Sequence, residues 1–249
     1  MLEARGITMT FDRLKAIDDA TIEVREGEIL GLIGPNGAGK STLFNCLTGD
    51  LKPTAGTVHL RGQDVTPLPP EARAALGIAR SFQVPLTFEG MSVLDNVMIG
   101  AFLRTASTSE ARERARAVIE RVGLAPLADA SARSLGTPGR KRLEIARALA
   151  TEPSVLLLDE AMAGLTPTEV RQAIELIRRI HASGVTLVIV EHIMEVIVTL
   201  AERVVVFHQG RVIANGSPAA VMREPQVIEA YLGKRGARVA QRSPGRVAT

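Results

Sequence analysis

Nine residues, Gly34-Pro35-Asn36-Gly37-Ala38-Gly39-Lys40-Ser41-Thr42, restrict this chain more than any other stretch. They fit Gly, any four residues, Gly, Lys, then Ser or Thr, the pattern of a phosphate-binding loop. Glu28-Ile29-Leu30-Gly31-Leu32-Ile33 before it reads as a short buried strand, and Thr42 to Leu47 after it as the first turns of a helix. That strand, loop and helix order is the context the pattern requires. Glycines let successive backbone N–H groups turn inward around an anion, and the helix N-terminus adds a favourable dipole. Lys40 is placed to reach the β- and γ-phosphates of a nucleoside triphosphate, and the Ser41 hydroxyl to sit on Mg²⁺. The expected ligands are therefore a nucleoside triphosphate and Mg²⁺.

With 249 residues, the chain has room for one α/β domain or for a core with an inserted subdomain. Apolar residues make up 46% and aromatic ones 3%, with no Trp, so the core is expected to be aliphatic. The single cysteine, Cys46, excludes an internal disulfide framework and reads as a buried structural thiol. The opening residues do not resemble a secretory signal, and no apolar run approaches the length of a membrane span. The expectation is a cytosolic chain, or one held to a membrane by partners. Residues 234–249 carry five of the 30 basic residues and none of the 27 acidic ones, leaving residues 1–233 two charges negative. The basic end, with Ser243, Pro244 and Gly245, predicts a solvated, disordered tail, and no nucleic-acid partner is expected.

The spacing of apolar residues predicts two or three strands within residues 1–33, a strand over 54–62, a short helix over 71–76 and a strand over 77–82. From about 85 to 150 the pattern turns helical, with helices over 93–103 and 109–122. Beyond Pro153 two continuous apolar runs, 155–158 and 185–190, each end in acidic residues, as buried parallel strands do. An amphipathic helix over 168–181 crosses between them, and 204–207 with 212–214 reads as a hairpin. The predicted fold class is α/β: a phosphate-loop core with a mostly parallel sheet, an N-terminal antiparallel β subdomain and an inserted helical subdomain. In numbers, the core spans 1–84 and 151–233 and the helical insert about 85–150.

The run Leu156-Leu157-Leu158-Asp159-Glu160 ends a buried strand in two acids. Next to a phosphate loop, Asp159 is expected to bind Mg²⁺ and Glu160 to act as general base toward water. Val190-Glu191-His192 repeats the arrangement on the next strand, so His192 is expected at the γ-phosphate, beside Lys40. His59, His181 and His208 have no such setting and read as structural or exposed.

Together these residues resemble the ATP-binding subunit of an ABC transporter over about residues 2–233. The resemblance implies further roles. Arg80-Ser81-Phe82-Gln83 matches the family's glutamine loop, with Gln83 sensing Mg²⁺ and the attacking water, and Glu191-His192 matches its histidine switch. Phe11 matches the aromatic that stacks on adenine. The signature loop, usually Leu-Ser-Gly-Gly-Gln, falls on Leu135-Gly136-Thr137-Pro138-Gly139. In the family this loop closes over the ATP held by the opposite subunit. Gly136 here lacks the hydroxyl and Pro138 lacks an N–H, while Thr137 and Pro138 read as the N-cap and first residue of a helix. Whether Thr137 replaces the missing serine stays open.

Within the family the chain is most similar to ATP-binding subunits of branched-chain amino acid importers. The residues that carry this are Arg142 to Leu149, Ala163 to Pro167, Ala214 to Pro218 and Pro225 to Gly233. The implied assembly is a homodimer, or a heterodimer with a paralogue, bound to transmembrane permease subunits at the cytoplasmic face of the inner membrane. An extracytoplasmic solute-binding protein is implied indirectly. The expected activity is ATP hydrolysis driving uptake of leucine, isoleucine, valine or a related small solute such as urea. Two other readings remain: a regulatory subunit of low turnover, and a soluble ABC ATPase outside transport. A guanine-nucleotide switch is disfavoured, because no Asn-Lys-x-Asp motif occurs.

Overall fold

The computed structural model describes residues 1–82 and 86–231. Gln83 and the basic segment 234–249 lie outside the described residues. An antiparallel sheet runs in the order β2 (Leu14–Val24), β1 (Leu2–Phe11), β4 (Ala55–Leu60), β5 (Gln63–Asp64). The second sheet has the order β10 (Arg211–Gly216), β9 (Arg203–His208), β3 (Ile29–Ile33), β8 (Thr186–Val190), β7 (Val155–Asp159), β6 (Ile78–Arg80). Its strands pair in parallel except for β10, which forms a hairpin with β9.

Strands β3, β7 and β8 are buried at every position, as their unbroken apolar runs predict. Their side chains alternate between two cores. Leu156 and Leu158 face one core, while Val155 and Leu157 face the other. The first core also takes in the helices between β6 and β7: α3 (Val93–Ala101), α4 (Thr108–Arg121) and α5 (Thr137–Ala150), together with α6 (Pro167–Ala182). The helical segment thus shares its apolar interior with the sheet. The second core joins the antiparallel sheet, α1 (Lys40–Thr48) and the opposite face of the parallel sheet.

Local capping follows the sequence. Thr166 caps α6 in a capping box with Glu169, and Pro167 occupies the first turn, where its missing N–H costs nothing. Ser92 and Ser107 accept N–H bonds at the starts of α3 and α4. The signature helix starts one residue earlier than predicted: Gly136 is the N-cap of α5, so Thr137 is its first residue and Pro138 its second. The shift is allowed because neither of the first two helical N–H groups has an intrahelical acceptor. Three short elements have no counterpart in the sequence reading: β5, α7 (Met194–Leu200) and α8 (Pro218–Val221). So do two 3₁₀ turns, at Ala125–Leu127 and Ala132–Ser134.

The far end of α1 is held by a buried cation. Arg73, on α2 (Pro70–Leu76), is 1% exposed. Its guanidinium donates to the carbonyls of Cys46 and Leu47 at 2.7 and 2.9 Å, and to Thr66 and Leu68 at 3.0 Å each. The first two are terminal carbonyls of α1, where a positive charge also meets the negative end of the helix dipole. Arg73→Met should therefore leave several buried acceptors unmatched and cost about 3 kcal/mol or more in urea unfolding. A loss below about 1 kcal/mol would mean that water satisfies those carbonyls and Arg73 does not hold the helix.

Candidate active site

The carboxyl ends of β3, β7 and β8 lie side by side, since Leu32 pairs with Val190 and Asp159 also pairs with Val190 across the sheet. Ligands of open α/β sheets bind at such ends. The phosphate loop leaves β3 at Gly34 and enters α1 at Lys40. Two of its glycines are required by neighbouring backbone. Gly34 has φ +151°, and a Cβ there would stand 2.1 Å from the Phe207 carbonyl oxygen. Gly39 has φ +106°, and a Cβ would stand 2.6 Å from the Ala16 carbonyl oxygen. Gly39 is also the N-cap of α1 and supplies no side chain to its first N–H groups. These donors are the feature of helix N-termini that binds phosphate.

Lys40 is buried, and its ammonium donates to the carbonyls of Gly34 and Pro35 at 2.7 and 3.0 Å. Burial lowers its pKa, while the charges of Glu160 and Asp159 pull it back up. A cleft of about 760 Å³ opens beside it. Phe11, Asn36 to Thr42, Glu160 and His192 all line this cleft. Its size is typical of a small-molecule site. Phe11 lines it and is 42% exposed.

Asp159 is 3% exposed, and burial raises its pKa, with Arg80 the largest opposing influence. Its N–H donates to the Ser81 hydroxyl at 3.2 Å, and Arg80 reaches its Oδ2 at 3.4 Å. Its Oδ1 is buried and has no hydrogen-bond partner. A lone buried carboxylate oxygen beside a phosphate loop fits Mg²⁺, which takes one or two carboxylate contacts and the rest from phosphates and water. No cluster of three or more His, Cys, Asp or Glu suited to a metal occurs among the described residues.

Glu160 follows at the strand end with a left-handed backbone, φ +50°. Its Oε1 lies 2.5 Å from His192 Nε2. The acid and the histidine are thus brought together, as their positions on adjacent strands imply. Gly136 and Thr137 are not among the residues of this cleft. They open α5, where Pro138 offers no N–H.

Several contacts around the cleft have no counterpart in the sequence reading. Leu14, Lys15, Ala16, Gln209 and Gly210 also line the cleft, from the start of β2 and the β9–β10 turn. Glu191, 2% exposed, accepts the Met162 N–H at 2.8 Å and so braces the segment after Glu160. Glu144, on α5, accepts the Phe82 N–H at 2.7 Å, one residue before Gln83. Glu191 stands in the histidine-switch match and Glu144 in the stretch Arg142 to Leu149, but neither motif announces these contacts; the five added cleft residues carry no motif.

Burial pushes the Glu144 carboxyl up to about 7. The folded chain therefore holds this proton more tightly than the unfolded one. Its contribution to stability is full below pH 4.5 and is lost as pH rises through about 7. Glu144→Gln removes that loss, so the variant should gain on the parent by about 3 kcal/mol across this window. Urea unfolding of both proteins at a series of pH values reads the difference; a constant offset would refute the assignment.

A mostly parallel sheet carrying a phosphate loop, a buried strand-end Asp and a Glu–His pair defines a phosphate-loop ATPase. The family model described as "ABC transporter" matches residues 17–163, and the chain belongs to that family. A second model, "Branched-chain amino acid ATP-binding cassette transporter", matches residues 211–237. The high-affinity branched-chain amino acid transport ATP-binding protein LivG of Escherichia coli is 40% identical, covering 94% of this chain and 98% of its own. The ADP conformation of MJ1267, an ATP-binding cassette of an ABC transporter, superposes with a TM-score of 0.85 at 32% identity, over 94% of this chain and 99% of that one. The cassette MJ0796, solved as a dimer after hydrolysis with ADP and phosphate bound, gives 0.80 at 25% identity, over 88% and 99%. Cassettes of this family bind ATP and ADP, dimerise and serve as the ATPases of transporters. No helix among the described residues is long and apolar enough to cross a membrane.

Proposed function

We propose that this chain is the ATP-hydrolysing subunit of an importer for branched-chain amino acids, acting as a dimer at the cytoplasmic face of the membrane. The observation that carries the solute class is the match of residues 211–237 to the branched-chain family. The full-length similarity to LivG supports it. An apolar groove of about 680 Å³ lies beside the glutamine-loop segment, with Phe82, Leu86, Phe88 and Leu103 on its walls. Its exposed rings and aliphatic side chains suit a helix of a permease subunit.

In this reading each ATP lies in the cleft of one subunit, its adenine on Phe11 and its phosphates on the N–H groups from Asn36 to Thr42. Lys40 exchanges its carbonyl contacts for the β- and γ-phosphates. Asp159 and Ser41 would hold Mg²⁺, with Gln83 as the further group the family implies. When bound, Mg²⁺ neutralises charge on the β- and γ-phosphate oxygens. Glu160 accepts a proton from the attacking water, and His192 orients the Glu160 carboxylate and holds the γ-phosphate. The start of α5, with Gly136 and Thr137, faces the ATP of the opposite subunit, and the Thr137 hydroxyl takes the place of the family's serine.

Glu160→Gln keeps the shape of the side chain and removes the base, so turnover should fall by about 100-fold or more while ATP still binds. Parental turnover in that variant would remove Glu160 from the role. The importer reading is tested by recovering the tagged chain from detergent-solubilised native membranes and identifying what accompanies it. Multi-span subunits with a solute-binding protein, and leucine uptake on reconstitution, are the expected result. Only soluble companions would contradict it.

A second reading, a regulatory subunit, is favoured by one observation. Gly136 caps α5 without a side-chain bond and Pro138 contributes no donor, so the signature helix has fewer groups for a γ-phosphate. Slow turnover by the chain alone and fast turnover when mixed with a paralogue would select that reading.

A further inference from the structure

We propose that Lys141 is a positioning residue for hydrolysis: its ammonium, reaching from α5, holds the backbone of Glu160 in the left-handed turn that aims the side chain at the cleft. This rests on Glu160 being the base, as proposed above.

Lysine is almost never fully buried without a partner. Lys141 is 7% exposed, and its Nζ donates to the Glu160 carbonyl at 3.0 Å. The same carbonyl accepts the Ala163 N–H at 3.1 Å, and the Glu160 N–H donates to the Val190 carbonyl at 2.9 Å. Both ends of the residue are thus fixed, one by the next strand and one by the lysine. The reason for fixing them is the backbone. A φ of +50° is unfavourable for any residue with a Cβ, and such a conformation persists only where its surroundings enforce it. Relaxed to ordinary backbone, Glu160 would direct its carboxylate elsewhere and leave His192.

The charge of Lys141 is matched locally. Glu191, Glu144 and Glu160 act on it as anions, against a desolvation that favours the neutral amine. Glu191 in turn accepts the Met162 N–H, so the lysine and this carboxylate grip the same short segment from two sides. Lys141 also stands four residues after Thr137, one turn along the same helix and on the same face. In the dimer proposed above, the start of α5 faces the partner's ATP. A single rigid helix then carries the contact to one nucleotide and the restraint on the base that serves the other. Docking of α5 onto the partner's ATP would be transmitted to the subunit's own Glu160 by this bond.

The test uses the full-length chain with Lys141→Met, Lys141→Arg, Glu160→Gln and the double variant Glu160→Gln/Lys141→Met. Each is assayed for steady-state ATP hydrolysis and for ATP binding. Lys141→Met should lower kcat by about tenfold or more with KM and ATP affinity little changed, because geometry at the base is lost while the phosphate cradle stays. Lys141→Arg, which keeps a cationic donor, should recover most of kcat. In the Glu160→Gln background, Lys141→Met should lower the residual rate no further. An unchanged kcat in Lys141→Met, a matching rise in KM, or the same fold-loss on top of Glu160→Gln would overturn the proposal. Should Lys141→Met not bind one ATP per chain, Lys141→Gln replaces it; failure of both to bind would show that the lysine only holds the fold, which also overturns the proposal. Full turnover in Glu160→Gln would instead overturn the base assignment, a separate result.

Discussion

At two points the phosphate loop runs closer to neighbouring backbone than any side chain would permit. Gly34 passes over the Phe207 carbonyl and Gly39 over that of Ala16, each with a conformation that L side chains rarely adopt. These approaches join the end of β3 to β9 on one side and to β2 on the other. They decide where α1 begins, hence where its free N–H groups and Lys40 point. The two cores and the antiparallel sheet serve this placement: Phe207 is itself fully buried in the core that also contains α1.

A second constraint is the number of charged groups the site keeps away from water. Lys40, Asp159, Glu191, Lys141 and Glu144 are each less than a tenth exposed, and Arg80 is buried on one side against Asp159. Burying an ion costs several kcal/mol unless partners compensate. Here the partners come from different elements. Arg80 on β6 reaches Asn45 of α1 and Asp159 of β7; Lys141 of α5 reaches the turn after β7; Glu191 after β8 reaches the same turn. Residues distant in the chain are thereby held to one geometry around the phosphate loop. Phe82, stacked under the Arg80 guanidinium and bound through its N–H to Glu144, extends this set to the apolar groove. Asp159 is thus linked through Arg80 and Phe82 to the apolar groove.

Much of this was legible in the sequence because its causes are local. The glycine pattern announces the loop, the unbroken runs at 155–158 and 185–190 announce buried parallel strands, and the acids that end them announce the site. Apolar spacing placed α3, α4 and α6 to within two residues at each end. Short elements escaped for the opposite reason. The two residues of β5 and the four of α8 carry no period, and they exist through pairing or packing with distant partners. The contacts of Lys141, Glu144 and Arg80 escaped similarly, since they depend on what α5 and β6 pack against. The start of α5 was misread by one residue because Gly136 and Thr137 are both acceptable caps.

The function proposed for this chain requires that the loop, with Lys40, hold the triphosphate of one ATP per chain. An ATP titration of the full chain by calorimetry, in Mg²⁺ and compared with Lys40→Ala, tests it most directly. One saturable site per chain is expected, competed by ADP and weakened by about tenfold or more in the variant, because a buried cation–phosphate bond is removed. Saturable binding that Lys40→Ala leaves unchanged, or no binding by the folded parent, would contradict it.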